Sequence, residues 1–201
     1  MLPIIAKIGL FFSQPLTLFT IIVLGLLSFD RKIFARTLLL LLFTMIYNVY
    51  LKALWHMPLP AHMEGWAFPS GHMHGAFVFW GWLAVEYRKF WFSALVFLIL
   101  CFVGYGLVYS GFHYPIDILG AAFFGSLSIL GYYFLNKISY FKEKPERLGF
   151  FFIILASILI VLLTPFERKP HMWKAYYGLI AFSCGWWLLR LCGHRFFRHH
   201  Q

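Results

Sequence analysis

The sequence predicts an all-α fold, a polytopic transmembrane helical bundle with six or seven spans. The chain has 201 residues, of which 62% are hydrophobic and only 12% are charged, whereas a soluble domain carries about a quarter charged residues. Its mean hydropathy is +0.77. The apolar residues fall into runs that approach the roughly twenty residues a helix needs to cross a bilayer. Together these observations exclude an ordinary soluble domain.

Seven apolar runs predict the helices, at 8–29, 33–54, 70–87, 91–111, 115–135, 148–165 and 173–193. The first run is interrupted by Ser13-Gln14-Pro15, and the sixth is short for a span. Six and seven spans therefore both stay open. No internal repeat or long linker divides the chain, which predicts a single transmembrane domain over residues 1–201.

A first polar motif, Pro69-Ser70-Gly71-His72, stands at the start of the third predicted helix. Proline suits the first helical position, where its missing N–H costs nothing. Ser70 and Gly71 then place small side chains and free backbone N–H groups at the positive end of the helix, which attracts anions. His72 follows as a titratable group beside that end.

A second polar motif, His113-Tyr-Pro-Ile-Asp117, stands at the start of the fifth predicted helix. Pro115 again suits the first helical turn, and Asp117 follows His113 by four residues, near enough for its carboxylate to orient the imidazole. An anion seat, two histidines and an orienting carboxylate are the groups that nucleophilic phosphoryl transfer requires.

The net charge of +10 is better explained by membrane topology than by nucleic-acid binding, because the basic residues lie between apolar runs. In the seven-span arrangement one side receives Arg31, Lys32, Arg36, Arg88, Lys89, Lys137, Lys142, Lys144, Arg147, Arg190, Arg195 and Arg198, and the other receives Lys7, Lys52, Arg168, Lys169 and Lys174. The more basic side is expected to be cytoplasmic. Lys52 and both motifs then lie on the extracytoplasmic face of a multi-pass protein of the plasma (inner) membrane.

These residues resemble the type 2 phosphatidic acid phosphatase superfamily, whose pattern is Lys-x6-Arg-Pro, Pro-Ser-Gly-His and Ser-Arg-x5-His-x3-Asp. The resemblance runs from Lys52 to about Gly120, which predicts a catalytic core at about 52–120. It implies that His113 is the nucleophile, that Asp117 orients it and that His72 protonates the leaving group. It further implies that Lys52, Ser70 and Gly71 bind phosphate, with no metal and no cofactor.

The sequence departs from the family pattern at both arginines. Leu59 stands at the first arginine position, and Gly106-Leu107 replaces the Ser-Arg pair. A bidentate arginine stabilises phosphoryl charge in a way that leucine cannot. Three explanations stay open: other cations compensate, the substrate is a less charged phosphodiester, or the protein binds a lipid head group without catalysis. The candidate accessory residues for the first two explanations are His56, His62, Glu64 and His74.

The expected activity is that of an integral membrane lipid phosphatase, which removes phosphate from a lipid phosphate or pyrophosphate at the extracytoplasmic face through a phosphohistidine. Its expected partners are the phosphorylated lipid and the bilayer, with no nucleic acid. The alternatives are a head-group or phosphoryl transferase similar to sphingomyelin synthases, which adds an acceptor lipid or sugar, and a non-catalytic lipid-binding relative.

Overall fold

The computed structural model describes residues 4–60, 63–142 and 144–197. Eight α-helices and one short 3₁₀ helix at Pro165–Glu167 make up these residues. The α-helices are α1 (Ile4–Phe11), α2 (Pro15–Ser28), α3 (Arg31–Trp55), α4 (Gly71–Tyr87), α5 (Phe90–Tyr109), α6 (Pro115–Lys137), α7 (Pro145–Leu162) and α8 (Pro170–Phe197). The prediction of an all-α fold is confirmed, and six of the seven predicted helices match α3 to α8 within four residues at each end.

The first predicted helix is two helices. α1 and α2 are separated at Phe12-Ser13-Gln14 and are bent by 52° relative to each other. Pro15 opens α2, and it cannot supply the N–H that would continue α1 into α2. The hydroxyl of Ser13 instead donates to the Leu10 carbonyl at 2.9 Å. The pair is therefore either a broken span or a re-entrant segment.

The described residues hold four to five candidate membrane spans, so the predicted six or seven are not clearly supported. Four helices (α3, α5, α6 and α7) are long and apolar enough to cross a membrane, and the bent α1–α2 pair raises the number to five. α4 has 17 residues, one short of the 18 that a span requires by this measure. α8 is long enough, but its lysine, two arginines, two histidines, tyrosines and tryptophans lower its apolar character.

Local capping explains where several helices begin and end. The Asp30 side chain accepts from the N–H groups of Lys32 at 2.8 Å and Ile33 at 3.1 Å, which fixes the start of α3. His56 ends α3 in the left-handed conformation, with φ of 47°. α6, α7 and α8 each open with proline, as expected for the first helical position.

α3 is the central helix of the bundle, since it packs against α2, α4, α7 and α8. Two buried apolar clusters meet on it. One includes Leu39, Trp82, Phe152 and Leu179, from α3, α4, α7 and α8. The other joins α3 and α4 to α2 and α5. Packing from both sides holds α3, and therefore its last turn, in a fixed position.

The two ends of the bundle differ in their polar groups. At one end Arg36 pairs with Glu86 at 3.3 Å, Arg190 pairs with Glu146, and the Tyr132 hydroxyl donates to the Arg36 carbonyl at 3.1 Å. We call this the basic end. At the other end α3 and α5 finish, and α4, α6 and α8 begin. We call it the motif end, because both sequence motifs lie there.

Candidate active site

The two motif segments are joined directly by their backbones. The N–H of Ser70 donates to the carbonyl of Asp117 at 3.1 Å, which ties the start of α4 to the first turn of α6. Gly120 allows this approach, because a Cβ at that position would lie 2.1 Å from the ring of Phe68, which precedes Pro69. The structure thus brings together two motifs that stand about forty residues apart in the sequence.

His113 and Asp117 form a hydrogen-bonded pair. The Nδ1 of His113 lies 3.2 Å from Oδ2 of Asp117, and the same oxygen accepts from the Tyr114 N–H at 2.9 Å. Because an ionised carboxylate only accepts, Nδ1 must carry the proton, and Nε2 keeps its lone pair. Asp117 is only 1% exposed, so water does not compete with His113 for its carboxylate.

His113 is held in its neutral form. Burial and the positive charge of Lys52 lower its pKa to about 4, although Asp117 acts in the opposite direction. His113 is 8% exposed, and its open side lines a cavity of about 700 Å³. A neutral imidazole with a free Nε2 facing a cavity is suited to nucleophilic attack.

His72 and Gly71 line the same cavity in the first turn of α4. Ser70 does not line it. The Ser70 side chain is buried and caps α4, accepting from the Met73 N–H at 3.4 Å. At Gly71 a Cβ would lie 3.1 Å from Oδ1 of Asn48 on α3, so glycine keeps the helix start close to α3.

Lys52, in the last turn of α3, lines the cavity and carries a positive charge there. Its ammonium group donates to the carbonyl of Trp66 and, at 3.4 Å, to that of Ala67. The connection between α3 and α4 folds back on itself, with the Ala67 N–H donating to the Met57 carbonyl at 2.7 Å. Lys52 therefore both holds this connection and supplies positive charge beside the histidines.

Asn48, one turn before Lys52, is a site residue that the sequence analysis missed. Its Nδ2 donates to the Pro69 carbonyl and lies near Nδ1 of His74, both at 3.2 Å. A polar residue in an otherwise apolar helix, four residues before Lys52 and so on the same face, was the available signal. Asn48 links α3 to the start of α4.

The four candidate accessory residues are placed differently. His74 is 0% exposed and contacts Asn48 away from the cavity. His56 pairs with Glu167, its Nε2 lying 3.1 Å from Oε1. Glu64 lines the cavity. His62 lies outside the described residues. Among the histidines of this set that the structure describes, neither His56 nor His74 faces the cavity, so neither replaces a missing arginine there.

The two leucines that stand at the family's arginine positions lie in different surroundings. Leu59 lines the cavity as a neutral side chain. Leu107 is 1% exposed and belongs to the apolar cluster of α2 to α5. At its neighbour Gly106 a Cβ would lie 2.7 Å from the Ala6 carbonyl of α1. A charged clamp at position 107 is incompatible with this packing.

The cavity also receives residues from beyond the second motif. Glu167, Lys169 and His171, at the start of α8 and just before it, line the cavity. The apolar runs predict only a connection at 166–172 and give it no role in the site, although Arg168-Lys169 stands out on the side with few basic residues. Hydrogen bonds from Thr164 and His56 lower the pKa of Glu167 and keep it ionised.

The remaining wall of the cavity is apolar. It is formed by α2 and α3 through Leu18, Phe19, Leu41, Met45 and Val49. The polar residues of the motif end and this apolar wall enclose one continuous space. A ligand with a charged head and an apolar body matches this division. Within the described residues, no group of three or more His, Cys, Asp or Glu side chains is arranged to hold a metal ion.

Comparison with known proteins agrees with these residues. The family model of the PAP2 superfamily matches residues 47–140, a range that holds Lys52 and both motifs. No curated protein and no solved structure matches the chain. The family match suggests activity of the phosphatase or phosphotransferase class. The match over residues 47–140 supports membership of the PAP2 superfamily, that of the type 2 phosphatidic acid phosphatases.

Proposed function

We propose that this protein is a lipid phosphatase that removes phosphate from a lipid phosphate or pyrophosphate through a phosphohistidine. One observation carries the proposal. His113, whose Nδ1 is bound to Asp117, shares with His72 a cavity whose other wall is apolar. A nucleophile, a second histidine for proton transfer and a space for an acyl or isoprenoid chain are thus available together.

In the first step, Nε2 of His113 attacks phosphorus, and the bond between phosphorus and the lipid oxygen breaks. His72 gives its proton to that oxygen, so that the lipid alcohol leaves neutral. Asp117 stabilises the positive charge that His113 gains on attack, since its carboxylate accepts from Nδ1 at 3.2 Å. Lys52 and the Gly71 N–H neutralise charge on the phosphoryl oxygens.

In the second step, water attacks the phosphohistidine. His72, now neutral, takes a proton from the water as its oxygen bonds to phosphorus. The bond between phosphorus and Nε2 breaks, which restores the neutral His113 and releases inorganic phosphate. The proton on His72 remains for the next cycle. No oxidant or further reactant is needed for this sequence.

The charge distribution supports an orientation with the motif end outside the cytoplasm. The basic end carries Arg31, Lys32, Arg36, Arg88, Lys89, Lys137, Lys142, Lys144, Arg147 and Arg190 among its described residues, whereas the motif end has Lys7, Lys52, Arg168, Lys169 and Lys174. Basic residues are enriched on cytoplasmic sides. We infer a multi-pass plasma-membrane protein that takes its lipid from the outer face.

The test is phosphate release by the purified full-length protein in phosphatidylcholine vesicles, with phosphatidate and an isoprenoid pyrophosphate as substrates. Wild type should release phosphate, and His113→Ala and His72→Ala should each lower kcat by about a thousandfold or more. Lys174→Ala, at the same end but outside the cavity, should keep wild-type kcat. Equal unfolding temperatures would show that the variants are folded.

The intermediate offers a second readout. When turnover of phosphatidate labelled at phosphorus is rapidly quenched, wild type should carry label on the protein. That label should survive alkali and be lost in acid, as a phosphohistidine requires, and His113→Ala should carry none. Phosphate release without any dependence on His113 would rule out the mechanism.

Transfer to an acceptor is the second candidate function, and Glu64 is the observation that favours it. Its carboxylate lines the cavity, where it is available to accept a proton from a lipid or sugar hydroxyl. A phosphodiester also carries less charge than a monoester and needs fewer cations, which agrees with Leu59 and Leu107 at the arginine positions. Product that forms only when an acceptor lipid is added, and that Glu64→Gln reduces, would select this function. Lipid binding without turnover in either assay would leave a binding protein.

A further inference from the structure

The connection between α7 and α8, residues 163–169, supplies a part of the cavity that lies outside the family match. Lys169 ends this connection, and His171 follows in the first turn of α8. Both line the cavity together with Lys52, His72 and His113. The match to the PAP2 superfamily ends at residue 140, so the family pattern assigns them no role.

The backbone of this connection is anchored at several points. Glu167 accepts from the N–H and hydroxyl of Thr164, both at 2.8 Å. The Nε of Arg168 donates to the Leu163 carbonyl at 3.2 Å. The Met172 N–H donates to the Lys169 carbonyl at 3.0 Å, and the Met172 side chain is fully buried. The segment is therefore a fixed support for the side chains it carries into the cavity.

The side chains of Lys169 and His171 have no hydrogen-bond or ion-pair partner within the described residues. Two anionic side chains, Glu64 and Glu167, also line the cavity. Glu167, however, is already bound by Thr164 and by His56, the latter at 3.1 Å. The negative charge of Glu167 is therefore largely balanced by Thr164 and His56, and not by Lys169 or His171.

Positive groups are close to one another in this part of the cavity. The positive charges of Lys52 and Lys169 lie near enough to act on His171. Lys52 also acts on His113, so its charge reaches both sides of the space between them. Cations that crowd a partly buried cavity create a positive potential that attracts an anion.

We propose that Lys169 and His171 bind the phosphoryl oxygens of the substrate and supply the positive charge that the two missing arginines supply in the family pattern. This inference rests on the proposed function, since it concerns the same cavity and the same phosphoryl group. Lysine acts as a point charge and lacks the planar fork of arginine. The substrate group it fits best is therefore a phosphomonoester or pyrophosphate, whose charge is high.

Kinetics of phosphate release test the proposal. Lys169→Ala should lower kcat/KM by about tenfold to a hundredfold, the effect of removing a charge-assisted hydrogen bond. His171→Asn should lower it in the same direction, and Lys169→Arg should restore most of it. Lys174→Ala is the matched control, because it removes a lysine from the same end of α8 outside the cavity. Values for Lys169→Ala and His171→Asn within twofold of the control would overturn the proposal.

Binding of inorganic phosphate gives a readout that does not need turnover. The unfolding temperature of the full-length protein in detergent should rise with phosphate concentration. Lys169→Ala should need about tenfold more phosphate for the same rise, and Lys174→Ala should not. If wild type lacks turnover but this difference appears, the proposed function fails and the anion site stands. If the wild-type protein neither releases phosphate from a lipid nor binds inorganic phosphate, both the proposed function and the anion site are overturned.

Discussion

At the scale of single residues, one oxygen of Asp117 determines which nitrogen of His113 is free for chemistry. Oδ2 accepts from Nδ1 of His113 and from the Tyr114 N–H. The backbone bond fixes the carboxylate, and the carboxylate fixes the tautomer and the ring. A local hydrogen-bond arrangement, spanning only five residues, thus prepares the nucleophile before any substrate binds.

Asp117→Asn tests this preparation directly. An amide can offer N–H to Nδ1, which favours the tautomer with the proton on Nε2 and removes the lone pair that attacks. We expect kcat to fall by about a hundredfold or more while KM changes little. The measurement is steady-state phosphate release with vesicle-bound phosphatidate. An unchanged kcat would show that the pair does not control the nucleophile.

The low pKa of His113 predicts the pH dependence of kcat/KM. Because burial and Lys52 lower that pKa to about 4, His113 stays neutral down to mildly acidic pH. Protonation should therefore abolish attack only as pH falls through about 4, well below the usual range of histidine. The groups acting on His113 are Lys52, His72 and Asp117.

Lys52→Met should shift this acid limb to higher pH, since loss of a neighbouring positive charge raises the pKa of His113. The measurement is kcat/KM against pH for wild type and Lys52→Met, corrected for ionisation of the substrate phosphate. Lys174→Ala should leave the limb in place. If the acid limb of kcat/KM lies at the same pH in Lys52→Met as in wild type, the result would contradict the assigned coupling between Lys52 and His113.

At the scale of elements, the close approach of α6 to the segment before α4 decides whether the motifs meet. Phe68 packs edge-on against Trp55 at 5.5 Å and Phe124 at 6.3 Å between ring centroids. Its ring therefore has little room to yield if a side chain is added at Gly120. Displacing it would move Pro69 and Ser70, and with them the bond from the Ser70 N–H to Asp117.

Gly120→Ala and Gly131→Ala form a matched pair on α6. An added Cβ meets Phe68 at 2.1 Å in the first and nothing within 4 Å in the second. Gly120→Ala should lower kcat at least tenfold and lower the unfolding temperature. Gly131→Ala should keep kcat and raise stability by up to about 1 kcal/mol through helix propensity. Equal kcat and unfolding temperatures in the two variants would show that the contact between Gly120 and Phe68 does not position the site.

Much of the site could be predicted from the sequence because its determinants are local. His113 and Asp117 lie one helical turn apart, and Pro115 opens α6 as expected, whereas Pro69 lies before the cap residue of α4 and not in its first turn. Asn48 could not be assigned, since its partners Pro69 and His74 lie 21 and 26 residues away. Lys169 could not be assigned either, because only the packing of α8 against α3 brings it to the cavity.

The helices themselves were predicted well, since their apolar runs are long. The bend after α1 was visible in sequence as Ser13-Gln14-Pro15, but its 52° angle depends on packing against other helices. Six or seven spans are not clearly supported, because α4 and α8 lie close to the limits of length and hydropathy. Near those limits composition does not separate a spanning helix from a buried one.

At the scale of the whole molecule, the distribution of charge between the two ends predicts the topology. After Cys101, Cys184 and Cys192 are replaced by serine, single cysteines are introduced at Met63, near the cavity, and at Lys142, between α6 and α7. In intact cells a membrane-impermeant maleimide should label position 63, and it should label position 142 only after permeabilisation. The reverse pattern would place the site on the cytoplasmic side.

The central position of α3 has a consequence for how the protein is made. The helix that carries Lys52 is packed by Leu148 and Phe152 of α7 and by Met172 and Leu179 of α8. These residues follow every family-pattern position from Lys52 to Asp117 in the chain, so they are synthesised later. A nascent chain that already holds the whole motif set therefore still lacks the packing that fixes α3. Activity should begin only when the last two helices have packed against α3, so that assembly of the C-terminal pair acts as the final step of maturation.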